Sequence, residues 1–355
     1  MLSQINLCNF ALFLCLTLAT TIVHGQNSRA ASSASYLERG NQSLEKGELE
    51  RAIADYDLAI AFDGSSAINY YNRALARYRK GDAENALRDF TRAIELNPRL
   101  GDAYTNRGAI LHEQGQFEMA LNDFNKAIEL NPRDAKAWTN RGSAQGEQGD
   151  LASAITDLDQ AIKLDRRNSL AWTNRCNIHY RRGELEAALA DCKQALKLDQ
   201  NSALAWNDQG LVRLAQGDLE GAHADFDRAI ALDSQSAYFF SNRGGTWLSK
   251  GNPERAMDDL NRALALNPKQ AETWYLRGVA NLAREDFLSA TKDFDEALKL
   301  NPELTDAYCS RGVVHLMQRN LPAGKADISY CKKMGGTLLP KAEKLLREAK
   351  TLSPR

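Results

Sequence analysis

The side chains able to do chemistry fall into three groups in this chain of 355 residues. The first is a set of Arg–Asp couples sixteen residues apart: Arg39/Asp55, Arg73/Asp89, Arg107/Asp123, Arg141/Asp157, Arg175/Asp191, Arg243/Asp259, Arg277/Asp293 and Arg311/Asp327. Gln209 beside Asp225 is the one break in the series. Eight copies of one couple do not make an active site. A planar guanidinium facing a carboxylate makes a two-point ion pair, and these are expected to tie helices together. The second group is the residue before that arginine: Asn72, Asn106, Asn140, Asn174, Asp208 and Asn242. A carboxamide both donates and accepts, so a file of them can bond the peptide units of an extended chain. The competing reading is that each caps or bonds to a neighbouring helix. The third group is the cysteines, of which Cys176, Cys192, Cys309 and Cys331 lie beyond the N-terminal apolar run.

The remaining candidates for catalysis do not cohere. His24, His112, His179, His223 and His315 are scattered, and the chain has no HExxH, no phosphate-cradling glycine loop, no GxSxG and no CxxC. No catalytic residue, metal or small-molecule cofactor is therefore expected. Lys and Arg number 45 against 46 Asp and Glu, without a basic stripe, which argues against a nucleic-acid partner.

What positions these groups is a repeat of thirty-four residues. An aromatic falls in register at Tyr36, Tyr70, Tyr104, Trp138, Trp172, Trp206, Phe240, Trp274 and Tyr308. A small residue follows four places later, as at Gly108, Gly142 and Gly210, and two alanines recur beyond it, as at Ala120 and Ala127. Each unit reads as two helices. A glycine such as Gly149 closes the first, and Asp150 or the pair Asn252-Pro253 starts the second. Asn-Pro at 97–98, 131–132, 267–268 and 301–302 forces the chain out of helix. A period of this kind marks a solenoid.

The aromatic, Gly, Ala, large apolar, Ala and Pro pattern resembles the tetratricopeptide repeat from about Ser33 to Gly335. The resemblance implies an all-α fold, a right-handed superhelical solenoid whose first helices line a concave groove. Nine tandem 34-residue helix-turn-helix repeats are expected at 33–66, 67–100, 101–134, 135–168, 169–202, 203–236, 237–270, 271–304 and 305–338. A C-terminal capping helix, 339–355, is expected to cover the end of the stack with its Leu and Ala stripe.

Two places after the aromatic, the Asn file is expected to project into that groove, an arrangement similar to the asparagine ladders of tetratricopeptide and armadillo-type peptide binders. The middle of the groove is expected to be polar, with Thr105, Thr139, Thr173, Ser143 and Asn177. Toward the end it is expected to turn apolar, with Leu211, Leu214, Leu248, Leu282, Val313, Leu316 and Met317. The family's carboxylate clamp uses Lys and Arg beside the Asn positions, where this chain has Thr, Tyr, Ser or Asn, so that mode is disfavoured.

The apolar run Phe10–Val23 is too short for a comfortable membrane span and is followed by Val23-His24-Gly25. It reads as a signal peptide, 1–25, with a flexible linker at 26–32 and no transmembrane span after cleavage; the alternative is an uncleaved anchor. In an oxidising compartment, Cys176–Cys192 and Cys309–Cys331 become candidate disulfides, against the alternative of small buried hydrophobes. Asn41-Gln42-Ser43 is a glycosylation sequon with meaning only in a eukaryotic secretory pathway. The function expected is that of an exported scaffold, periplasmic or extracellular, which binds an extended peptide or helix of a partner protein in the groove. The alternatives are an accessory subunit of an envelope enzyme encoded elsewhere, or architectural self-assembly.

Overall fold

In a computed structural model, residues 31–337 are described, and they form eighteen α-helices with no strand. The expected signal peptide at 1–25 and capping helix at 339–355 lie outside them. The chain divides after Arg166 into two compact units. The described part of the first holds α1 (31–45), α2 (Leu49–Phe62), α3 (Ala67–Arg79), α4 (Ala83–Leu96), α5 (Gly101–Glu113), α6 (Phe117–Leu130), α7 (Ala135–Glu147) and α8 (Leu151–Leu164). The second holds α9 (Ser169–Arg181), α10 (Leu185–Leu198), α11 (Ala203–Ala215), α12 (Leu219–Leu232) and α13 (Ala237–Ser249). It continues with α14 (Pro253–Leu266), α15 (Ala271–Ala283), α16 (Phe287–Leu300), α17 (Thr305–Met317) and α18 (Leu321–Lys333). Residues 31 and 32, expected as part of the linker, are helical.

Each unit is a stack of helical hairpins, and the hairpin turn shows why. The glycines from Gly47 to Gly251 that end the first helices take φ between 72° and 90°. At one of them, Gly149 donates to the Gly146 carbonyl and the Asp150 backbone N–H to that of Gln145. The Asp150 carboxylate then accepts from the Ser153 N–H, 3.1 Å away, and starts the next helix. The exits are equally local. Asn131 Oδ1 accepts from the Arg133 N–H, and the Pro132 carbonyl accepts from the Trp138 indole at 3.0 Å. The register aromatic thus pins the connection between repeats as well as filling space.

Packing within a hairpin depends on a small residue facing a large one sixteen places on. A Cβ added at Gly108 would lie 2.7 Å from Phe124 Cε1, closer than any real contact allows. Tyr56, Phe90, Phe124, Leu158, Phe226, Leu260 and Phe294 fill this position and are wholly buried beside the two recurring alanines.

The Arg–Asp couples run across this contact and do more than pair helices within a repeat. Arg141 donates from Nε and Nη2 to the two oxygens of Asp157, at 2.6 and 2.8 Å. Its Nη1 reaches back to Asn125 Oδ1 at 2.7 Å, on the second helix of the preceding repeat. The guanidinium also lies over the Trp138 ring, 4.7 Å from its centre. Arg73, Arg107, Arg243, Arg277 and Arg311 repeat the arrangement, reaching back to Asp57, Thr91, Asp227, Asn261 and Asp295. In the sixth repeat, Gln209 donates to Asp225 and the missing charge comes from Arg213, one helical turn on, at 2.8 Å.

Two predictions follow from these local rules. Arg141→Gln should destabilise the fold by about 3 kcal/mol, because it strands a buried carboxylate. Adding Gln145→Arg, which copies the Gln209/Arg213 arrangement, should restore most of that loss in urea unfolding. Additive behaviour of the two substitutions would refute the exchange. Glu285 and Arg319 occupy the turn-glycine position at φ 62°, so Glu285→Gly should stabilise by about 1 kcal/mol and raise the thermal midpoint.

Candidate functional site

First helices of successive repeats touch one another at α5 with α7 in the first unit and, in the second, at α9 with α11, α11 with α13, α13 with α15 and α15 with α17. Second helices are held apart by the first helices between them. The first-helix face is therefore the inner, more crowded side of each stack, and the Asn file lies on these helices.

The structure places the six file residues in different environments. In the first unit, Asn72 Nδ2 donates to Asn41 Oδ1 of the preceding repeat at 2.9 Å. Asn106 Nδ2 donates to the Tyr71 hydroxyl at 3.1 Å and to the Asp102 carbonyl at 2.8 Å, while its Oδ1 accepts from Lys136 Nζ. Burial pushes the Tyr71 phenol up, with the Asp102 charge adding to the effect. Asn140 is half-buried and makes no side-chain hydrogen bond among the described residues. In the second unit, Asn174 is likewise half-buried and unengaged. Asn242 Nδ2 donates to Asn207 Oδ1 at 2.7 Å, and Asn207 Nδ2 donates in turn to Asp208 Oδ1 at 3.3 Å. The Asn177 side chain is a second partner of Asp208. Asp208 is 9% exposed, and burial pushes its carboxyl up to about 7. Bonds to a neighbouring repeat therefore occupy Asn72, Asn106 and Asn242, while Asn140 and Asn174 keep a free carboxamide.

Two expectations about the rest of the groove need correction. Thr105, Thr139 and Thr173 are buried rather than groove-lining. Thr105 Oγ1 donates to Asp134 Oδ2 at 2.8 Å, and Thr139 and Thr173 donate to backbone carbonyls four residues back. One place after the aromatic, the side chain turns toward the neighbouring hairpin. Of the apolar run, Leu316 is buried and packs where a Cβ on Gly324 would fall. Leu248 and Leu282 pack against the cores around Leu260 and Phe294.

A further set of surface residues, outside the expected site, sits two places before the aromatic. Ile68 in the first unit, and Leu170, Leu204 and Tyr238 in the second, are exposed. Leu170, Leu204 and Tyr238 stand one helical turn before Asn174, Asp208 and Asn242, on the same side of their helices. The signal was available as the same thirty-four-residue register, shifted by two.

The other chemical groups are structural in placement. Cys176 and Cys192 are joined in a disulfide with Cα atoms 5.4 Å apart, at the positions that carry Gly and Phe in the third repeat. Cys309 and Cys331 are joined with Cα atoms 5.2 Å apart. Asn41 of the sequon lies within α1, its Oδ1 accepting from both Tyr56 and Asn72, and Ser43 is buried. That backbone and those bonds oppose glycosylation there. Among the described residues no helix is long and apolar enough to cross a membrane.

Models of the tetratricopeptide repeat match residues 40–81, 75–115, 101–134, 139–203, 207–271 and 245–331. Comparison with curated proteins finds no match. Among solved structures, the chain is similar to the APC/C hetero-tetramer Cut9–Hcn1, with 17% identity and a TM-score of 0.67 over 89% of this chain and 76% of that one. It is similar to a tetratricopeptide repeat protein from Parabacteroides merdae, with 19% identity and a TM-score of 0.55 over 70% of this chain and 98% of the other. It is also similar to pilF of Pseudomonas aeruginosa, with 19% identity and a TM-score of 0.52 over 60% and 96%. At these identities the likeness is one of fold.

The buried carboxyls generate a pH dependence. Asp208, and Asp225 with its carboxyl pushed up to about 6 by burial, bind protons more tightly folded than at the ordinary value of 3.8. Their burial is free of penalty below about pH 4, and stability falls as pH rises through about 6 and about 7. Asp208→Asn should therefore raise the thermal midpoint at pH 8, by an amount worth on the order of 2–4 kcal/mol, and change little at pH 4.5. An equal gain at both pH values would break the link to Asp208 titration.

Proposed function

The chain belongs to the tetratricopeptide repeat family, and on that premise we propose that it is a protein-interaction scaffold which holds an extended peptide or helix of a partner on its first-helix faces. The observation that carries this reading is the pair of free carboxamides on Asn140 and Asn174. Both stand half-buried on the inner face of their units, and neither is used to hold the repeats together. A carboxamide so placed can meet both the N–H and the C=O of a bound backbone. Around each, the Arg–Asp couple and the aromatic already account for packing, so the Asn adds nothing to the fold that a smaller residue would not.

The scaffold reading is non-catalytic. The recurring carboxylates are engaged with arginines, and the two Cys pairs lie in disulfides inside hairpins. We further propose that the chain is exported, with the signal segment removed after Gly25. The apolar run at 10–23 supports this, as do two disulfides of a kind that persists in oxidising compartments.

The test is crosslinking and recovery from intact cells, comparing the chain with an Asn140→Ala/Asn174→Ala variant that circular dichroism shows to be folded. A discrete partner should be lost from the variant by about tenfold or more, and the recovered chain should begin at Gln26 in intact-mass measurement. A partner retained undiminished would remove the carboxamides from recognition, and an intact N-terminus would remove export.

A further inference from the structure

Within the second unit the first-helix face carries a pattern that packing does not explain. Leu170, Leu204 and Tyr238 occur at the same place in three successive repeats and are 48%, 56% and 66% exposed. They form a row of large apolar side chains, each one helical turn from Asn174, Asp208 or Asn242. In the next two repeats that place is taken by Glu272 and Asp306, both exposed and neither in an ion pair among the described residues.

The charge balance of this face is one-sided for a structural reason. Helices α11, α13, α15 and α17 contain no lysine. Each has one arginine, and each of these is bound to a buried aspartate: Arg213 to Asp225, Arg243 to Asp259, Arg277 to Asp293 and Arg311 to Asp327. No free cation remains on these four helices to balance Glu272 and Asp306. An apolar row ending in two unpaired carboxylates is complementary to a chain that is apolar and then basic.

Spacing sets the form of that chain. Touching helices lie about 8–10 Å apart, which is on the order of three residues of extended backbone per repeat. We propose that the first-helix face of the second unit receives an extended segment of a partner protein with an apolar side chain at about every third residue, followed by lysine or arginine. This rests on the scaffold reading and deepens it by naming the ligand's chemistry. The apolar side chains lie along Leu170, Leu204 and Tyr238, Asn174 meets the backbone, and the basic end lies against Glu272 and Asp306.

The probe is a fluorescein-labelled synthetic peptide with leucine at every third position and two lysines at one end, made in both polarities. Controls carry glutamates for the lysines or serines for the leucines. Fluorescence anisotropy on the full chain should show the better lysine peptide binding about tenfold more tightly than either control. Leu204→Ser/Tyr238→Ser, both at exposed positions, should lose that advantage with an unchanged circular dichroism spectrum. Glu272→Lys/Asp306→Lys should invert the preference toward the glutamate peptide. Equal affinity for all peptides, or an unchanged preference after charge reversal, overturns the proposal. A photo-reactive group on the peptide separates the two readings. Crosslinks on α9, α11 and α13 support both, while crosslinks on first helices of the first unit keep the scaffold reading and overturn this one. Crosslinks on second helices overturn both. Self-association that disappears in the Leu204→Ser/Tyr238→Ser variant would make a second copy the occupant and also overturn it.

Discussion

Each repeat buries one carboxylate between its two helices, and the stack holds only because that charge is met from several directions at once. A single arginine supplies two parallel bonds to the aspartate of its own hairpin, a third bond to the preceding hairpin, and a face stacked on the register aromatic, as Arg141 does with Asp157, Asn125 and Trp138. Removing a carboxylate-sized ion from water is expensive, and a lone ion pair in such a place often fails to recover the expense. Here the guanidinium is also held by the register aromatic of its own helix and by the preceding repeat, so little further freedom is lost when the pair forms. The same side chain thereby turns a contact within a hairpin into a contact between hairpins.

The departures from the pattern obey the same constraint. Where Gln209 replaces the arginine, Arg213 approaches the carboxylate from one turn further along the helix. His179 and His315 stand at that second position in the fifth and ninth repeats, within 3.7 and 3.9 Å of their aspartates. Volume behaves as charge does. Cys176 adds bulk where glycine is usual, Cys192 removes it where phenylalanine is usual, and a disulfide fills the gap between them.

The open surface is made of whatever the stacking does not use. The charge clamps draw the arginines of α11, α13, α15 and α17 down to the hairpin interior, which leaves the face of those helices to exposed apolar side chains and acids. The same interaction that holds the repeats together therefore sets the charge of the surface they offer.

The thirty-four-residue period alone determined that the chain is a helical solenoid, where its turns fall, and which side chains face each other sixteen places apart. Those features depend on one hairpin and its neighbour, and every repeat restates them. Gln209 was legible as an exception, but its replacement by Arg213 was not, because a residue four places on reveals its direction only once the helix is packed. The reach of six of the arginines back to the preceding repeat, the burial of Thr105, Thr139 and Thr173, and the engagement of Asn72, Asn106 and Asn242 were also decided by the tertiary structure. Spacing along a helix says which side chains share a face. How closely the next hairpin approaches decides whether that face is core, clamp or open surface.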